Sequence, residues 1–106
     1  MSKAVYWQRG ETIDHTNATD ATIEANTIVA FGSHIGVAGT DIAVGETGTL
    51  HVSGVFELPK TASEEISAGT DVYFANDAIT ATSGDVKAGY AIADAAADDA
   101  TVKVRL

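Results

Sequence analysis

Residues 49–59 read TLHVSGVFELP. Leu50, Val52, Phe56 and Leu58 point one way along this stretch, and His51, Ser53, Val55 and Glu57 point the other. A two-residue period of this kind belongs to a half-buried β-strand. Gly54 interrupts the run and marks a bulge or a close backbone approach, and Pro59 ends it. A strand this clear needs a sheet around it, so the flanking sequence is read for further strands.

Upstream, NTIVAFGSHIGVAGTDIAVGETG (26–48) is punctuated by glycine. Val29, Phe31, Ile35 and Val37 alternate on one face with Ser33 interrupting, and Gly39, Gly45 and Gly48 mark turns. TIDHT (12–16) is a short extended piece, followed by the polar loop NATDAT (17–22). Downstream, TDVYFANDAITATSGDV (70–86) reads as a hairpin with Asn76 and Asp77 at its tip. VKAGYAIAD (86–94) alternates Val86, Ala88, Tyr90 and Ile92, AAADDA (95–100) is a turn, and TVKVRL (101–106) is a last strand with Val102, Val104 and Leu106 inward. KTASEEISAG (60–69) is the one helical candidate: Thr61 or Ser63 can cap it, Glu64 and Glu65 suit a first turn, and Gly69 ends it. The expectation is an all-β fold, a small barrel or sandwich of eight or so short strands, with one short helical turn near 62–68 and an extended arm over residues 1–10. No internal repeat of useful length is evident. Apolar residues on the second face of some strands (Tyr6, Val55, Tyr73, Ile79) point to subunit contacts.

Composition agrees. At 106 residues the chain is expected to be a single domain, 1–106, large enough to bury a core. Ala, Val, Ile, Thr and ten glycines dominate over leucine, which favours strands and tight turns. The net charge is −9, and the six basic residues are scattered. That balance disfavours nucleic acid and anionic membranes, both of which need a positive patch. There is no cysteine, hence no disulfide and no thiolate chemistry. Neither a signal peptide nor an apolar run long enough to span a bilayer is visible, so synthesis and use without export are expected.

The search for chemistry returns little. A phosphate-binding P-loop requires a Gly-Lys pair, and none exists. Gly32, Gly36 and Gly39 do not have dinucleotide-binding spacing. The three histidines, His15, His34 and His51, form no H-x-H or H-x-x-x-H pair, although Glu11, Asp41 and His51 could converge in space. The adjacent pairs Asp14-His15 and Ser33-His34 would point to opposite faces if extended. No G-x-S-x-G is present, and the carboxylate pairs Glu64-Glu65 and Asp98-Asp99 fall at a helix start or turn, where solvated caps are the ordinary reading. No catalytic, cofactor or metal residues are assigned. A binding or structural role is expected rather than an enzyme.

What remains is KAVYWQR (3–9), which holds Tyr6 and the single Trp, Trp7. Val5, Trp7 and Arg9 share one face and Ala4, Tyr6 and Gln8 the other, with Gly10 closing the segment. Two readings stand: Trp7 anchors the core of a first strand, or the segment is an arm whose aromatics grip a partner. Both can hold if the arm docks on a neighbouring subunit.

Four segments carry a resemblance. They are YWQRGETIDHT (6–16), HIGVAGTDIAVGETGTLHVSGVFELPK (34–60), AGTDVYF (68–74) and AGYAIADAAADDATVKVRL (88–106). With them the chain resembles a family of small phage and prophage capsid decoration (cement) proteins over nearly its whole length. Some members carry a recombinase label of the RecA/RadA type, and the missing P-loop and acidic balance speak against that reading here. The resemblance implies a structural protein of the virion, made in the bacterial host cytoplasm, that binds the outside of the assembled head through the major capsid protein and stiffens the shell. Comparable head decoration proteins, such as that of phage lambda, are β-rich trimers with a flexible N-terminal segment on the capsid. Carried over, this implies a homotrimer with Lys3, Ala4, Val5, Tyr6, Trp7, Gln8 and Arg9 as the capsid- or subunit-contacting arm. The alternatives are another β-rich phage module (tail, head-fibre or glycan-binding) and, behind it, an ATP-dependent recombination factor.

Overall fold

The computed structural model describes residues 2–106. Residue 1, the first of the expected arm, lies outside the described residues. Nine short strands follow one another: β1 (Thr12–Thr16), β2 (Ile28–Phe31), β3 (His34–Ala38), β4 (Thr47–His51), β5 (Val55–Pro59), β6 (Asp71–Ala75), β7 (Ala78–Thr80), β8 (Lys87–Ala91) and β9 (Thr101–Arg105). They form one curled sheet, so the all-β expectation holds and the choice falls on a half-barrel rather than two stacked sheets.

The stretch TLHVSGVFELP is two strands, not one. Its alternation is real, with Leu50 and Leu58 both buried. At Gly54, whose φ of +107° is open mainly to glycine, the chain leaves one half of the sheet and enters the other. β4 pairs with β1 and β3, whereas β5 pairs with β9.

Each half has its own strand order. The first runs β1-β4-β3-β2 and the second β5-β9-β8-β6-β7, all antiparallel. They meet where β3 and β8 run parallel at His34 and Lys87. The halves are one motif used twice, which corrects the expectation of no repeat. Ile23 bridges Ile42 in the first half, and Ile66 bridges Ala95 in the second. The Asp41 carboxylate accepts the Ala25 N–H at 2.8 Å, and the Asp94 carboxylate accepts that of Ala68 at 2.8 Å. Asn26 N–H donates to Ala38 O at 2.7 Å, and Gly69 N–H to Ala91 O at 2.7 Å, both donors with positive φ. IEANTIVAF (23–31) and ISAGTDVYF (66–74) share Ile, Ala, Thr, Val and Phe at these places. The halves differ at one point. β2 enters β3 through the tight turn Gly32-Ser33, while β6 first passes through β7, which has no counterpart in the first half.

The duplication predicts matched behaviour. Asp41→Ala and Asp94→Ala each remove one charge-assisted hydrogen bond to an exposed turn, so each is expected to cost about 1 kcal/mol. Urea midpoints of the two variants should agree closely.

Most of the core lies in the second half, around Leu58, Ile66, Val72, Ile79, Val102 and Val104, with Ile35 reaching in from the first. Ile79, expected on an outward second face, is fully buried there because β7 packs against β5 and β6. The expected helical turn near 62–68 is replaced by two turns flanking the Ile66–Ala95 bridge. Ser63 has φ +61°, incompatible with a right-handed helix, and the Glu64 carboxylate accepts the Thr80 hydroxyl at 2.9 Å and the Ala81 N–H. Gly48, expected at a turn, sits inside β4, where a Cβ would run into Ile42. In β8 the expected alternation fails: Ala88 and Ala91 are buried, while Tyr90 and Ile92 are exposed. Gly89 has φ +147°, and the β6–β8 register shifts between Val72 and Tyr73.

Candidate interaction surface

Residues 2–10 carry no regular secondary structure and are exposed throughout. Trp7 is 88 % exposed, Val5 87 % and Tyr6 80 %, so the reading of Trp7 as a core anchor is corrected. Burying one such side chain is worth about 1.5–3 kcal/mol, and three in succession left in water form a surface that gains from being covered. Gln8 ties the base of the arm to β1 by donating Nε2–H to Thr12 O at 3.3 Å. Gly10, with φ +83° and no atom within 4 Å of a Cβ built on it, lets the chain turn between arm and strand. Lys3 and Arg9 bracket the apolar stretch and place two of the six cations on the arm.

A second exposed apolar row crosses the outer face of β5, β9 and β8. Val55 and Tyr90 each lie opposite Arg105, and both are exposed, with Ile92 exposed beside them. This row combines apolar area with a cation in an otherwise acidic chain.

The polar residues singled out from sequence are dispersed. Asp41 is committed to the Ala25 turn and Asp99 to the Ala96 N–H at 2.9 Å. His34 stacks loosely near Phe31 and His51 near Phe56, with ring centroids 6.3 and 6.0 Å apart. Among the described residues no group of three or more His, Asp or Glu is placed to hold a metal ion. Glu11, Asp41 and His51 therefore do not converge into such a group. Two buried polar residues were not legible in the sequence. Asn17, in the expected polar loop, and Lys60, after β5, are almost wholly enclosed. Each supplies hydrogen bonds to loop carbonyls, a role that no motif announces.

Several shallow clefts open on the described residues. One, about 270 Å³, is lined by Ile13, Phe31, His34, Ile35, Val52 and Leu106 among others. Another, about 280 Å³, lies between β2 and β5. Both fall just below the range of about 300–1,000 Å³ that small-molecule sites occupy.

A family model described as phage cement protein matches residues 7–106. The match takes in Trp7, Gln8 and Arg9 of the arm and the whole sheet. No curated protein and no solved structure matches the chain.

Proposed function

The chain belongs to the phage cement protein family, and from that membership we propose that it binds the outer surface of the assembled phage head and stabilises the shell. The family implies a structural role in association with the capsid. The finer reading, outer-surface binding as a homotrimer through residues 3–9, is supported by the exposure of Val5, Tyr6 and Trp7 beside a rigid sheet. A segment without secondary structure loses freedom when it docks, and burial of large apolar side chains on a partner surface offsets that cost. Several arms on one oligomer multiply a modest single-site affinity through effective concentration. An acidic body with its cations partly on the arm and on the Val55–Arg105–Tyr90 row directs its contacts to those places.

Cosedimentation with expanded, DNA-free heads tests this. The full chain is expected to pellet with heads to a fixed stoichiometry. The 11–106 fragment should keep the β-sheet circular-dichroism spectrum and bind at least about a hundredfold more weakly, the loss expected when two aromatic anchors go. Heads that ignore the full chain would overturn the capsid reading, and undiminished binding by the fragment would overturn the arm.

A further inference from the structure

We propose that the cleft between β2 and β5 receives the arm of a second copy of this chain, which adds as a strand to the open edge of β2. The inference rests on the reading of residues 3–9 as a contact segment and names the surface they contact.

β2 pairs with β3 alone, and β5 with β9 alone. The other edge of β2 carries no ladder among the described residues, whereas β5 is met beyond its far end by β7, where Lys60 bridges Ile79; residues of β2 and β5 both line the cleft of about 280 Å³. Unpaired strand edges are templates for a further strand. Ile28, Leu58, Pro59 and Phe74 give the cleft an apolar lining, and the acidic residues Glu57, whose Oε1 also accepts the Thr101 hydroxyl at 2.8 Å, and Asp77 lie beside them. The arm is the complement of this site. It carries no regular secondary structure, its backbone is free of sheet pairing, it holds Tyr6 and Trp7 side by side, and Lys3 and Arg9 stand at its two ends. In a chain of net charge −9, two copies repel unless cations meet carboxylates. The second half of the sheet shows the same solution within one chain: β7 lies along the outer edge of β6 and bridges Lys60 at the end of β5. The first half lacks that strand, so the edge of β2 is left for another segment. A cleft this small suits one large side chain and the backbone beside it better than a cofactor.

Trp7 is the only tryptophan, so its fluorescence reports the arm directly. With the pure full chain and no heads present, Trp7 emission should shift to the blue as concentration rises, with the midpoint of oligomer formation seen by light scattering. Glu57→Gln with Asp77→Asn removes both acidic charges from exposed positions. It should leave the urea midpoint nearly unchanged and raise the association midpoint about tenfold, the sum of two exposed ion pairs. Emission typical of exposed indole in a chain that stays monomeric at high concentration would overturn the proposal. So would a blue shift in the monomer, which would mean that the arm folds back on its own chain, or an unchanged midpoint in the double variant. Because none of these readings involves heads, they fail or succeed separately from the capsid reading.

Discussion

Gly89→Ala should be the most damaging single-methyl change in the molecule, lowering stability by roughly 3–5 kcal/mol. Two costs add. The backbone at Gly89 has φ +147°, a region L-residues avoid, and holding alanine there costs about 1–3 kcal/mol. A Cβ at this place would also overlap the Arg105 carbonyl and lie 3.2 Å from the Leu106 Cα. Both are backbone atoms of the chain's last strand, so no side-chain rotation gives relief. Relief requires the end of β9 to swing off β8. That breaks the Tyr90–Arg105 pairing and the bond from Leu106 N–H to Gly54 O, at about 1 kcal/mol per hydrogen bond, and uncovers Leu106. Gly69→Ala is the control, since φ there is +84° but nothing lies within 4 Å of a Cβ. It should cost only about 1 kcal/mol, the price of a left-handed backbone in a residue with a side chain. Urea unfolding of the two variants separates clash from backbone strain. A Gly89→Ala midpoint close to that of Gly69→Ala would show that β9 has more freedom than the structure assigns it. A Cβ on Gly36, the counterpart of Gly89 in the first half, would lie 3.1 Å from the Leu50 Cβ and 3.2 Å from His51 O with no positive φ, so Gly36→Ala should fall between the two.

Gly89 also explains which parts of the fold could be read from sequence. Alternation located most strands, and the Asn76-Asp77 hairpin tip was legible because both residues adopt the positive φ that such a turn demands. Alternation failed where glycine changes the path of the chain. In β8 it placed Ala88, Tyr90 and Ile92 on one face, but with the turn of the backbone at Gly89 Ala88 and Ala91 are buried and Tyr90 and Ile92 exposed. In TLHVSGVFELP the period continues across Gly54 although the partners change, because periodicity records which face is buried and not which strand lies alongside. The duplication was hidden for a related reason. Its shared residues sit at turns and bridges rather than in an apolar pattern, and the β7 hairpin in the second half shifts the spacing between matched residues part-way along.

The interaction surface divides in the same way. Alternation in KAVYWQR left a core strand and an exposed arm both open, and the exposure of Tyr6 and Trp7 decides only against the core strand. The cleft between β2 and β5 could not be read from sequence, since its lining comes from residues far apart in the chain, on both halves of the sheet. Glu64 and Lys60 were opaque for another reason. A charged residue in a turn-rich stretch reads as solvated, and nothing local says that its side chain folds inward to satisfy carbonyls and amides of other loops.

Lys60→Met should cost roughly 2–4 kcal/mol, the range expected when buried polar groups lose their partner. Lys60 is 6 % exposed, and its ammonium donates to the carbonyls of Thr61 at 3.0 Å, Glu64 at 2.5 Å and Ala97 at 3.3 Å. Methionine replaces the apolar stem at similar volume but gives those carbonyls no donor, so the change isolates the hydrogen bonds from the packing. Asn17 does the same work at the matched place in the first half. It is fully buried, and its Nδ2 donates to Ala21 O and Ile42 O at 2.8 Å each, Ala21 being the counterpart of Glu64. Its Oδ1 also accepts from Thr19 N–H and Oγ1–H at 2.9 and 2.6 Å. Asn17→Ala should therefore cost a similar 2–4 kcal/mol by the same loss of partners. The two hubs share no hydrogen-bonding partner, so the double variant should lose the sum of the single losses to within about 0.5 kcal/mol. Urea unfolding of the four proteins closes that cycle. A loss well short of the sum would mean that the halves do not hold their loops independently, and that the β3–β8 junction carries strain from one to the other.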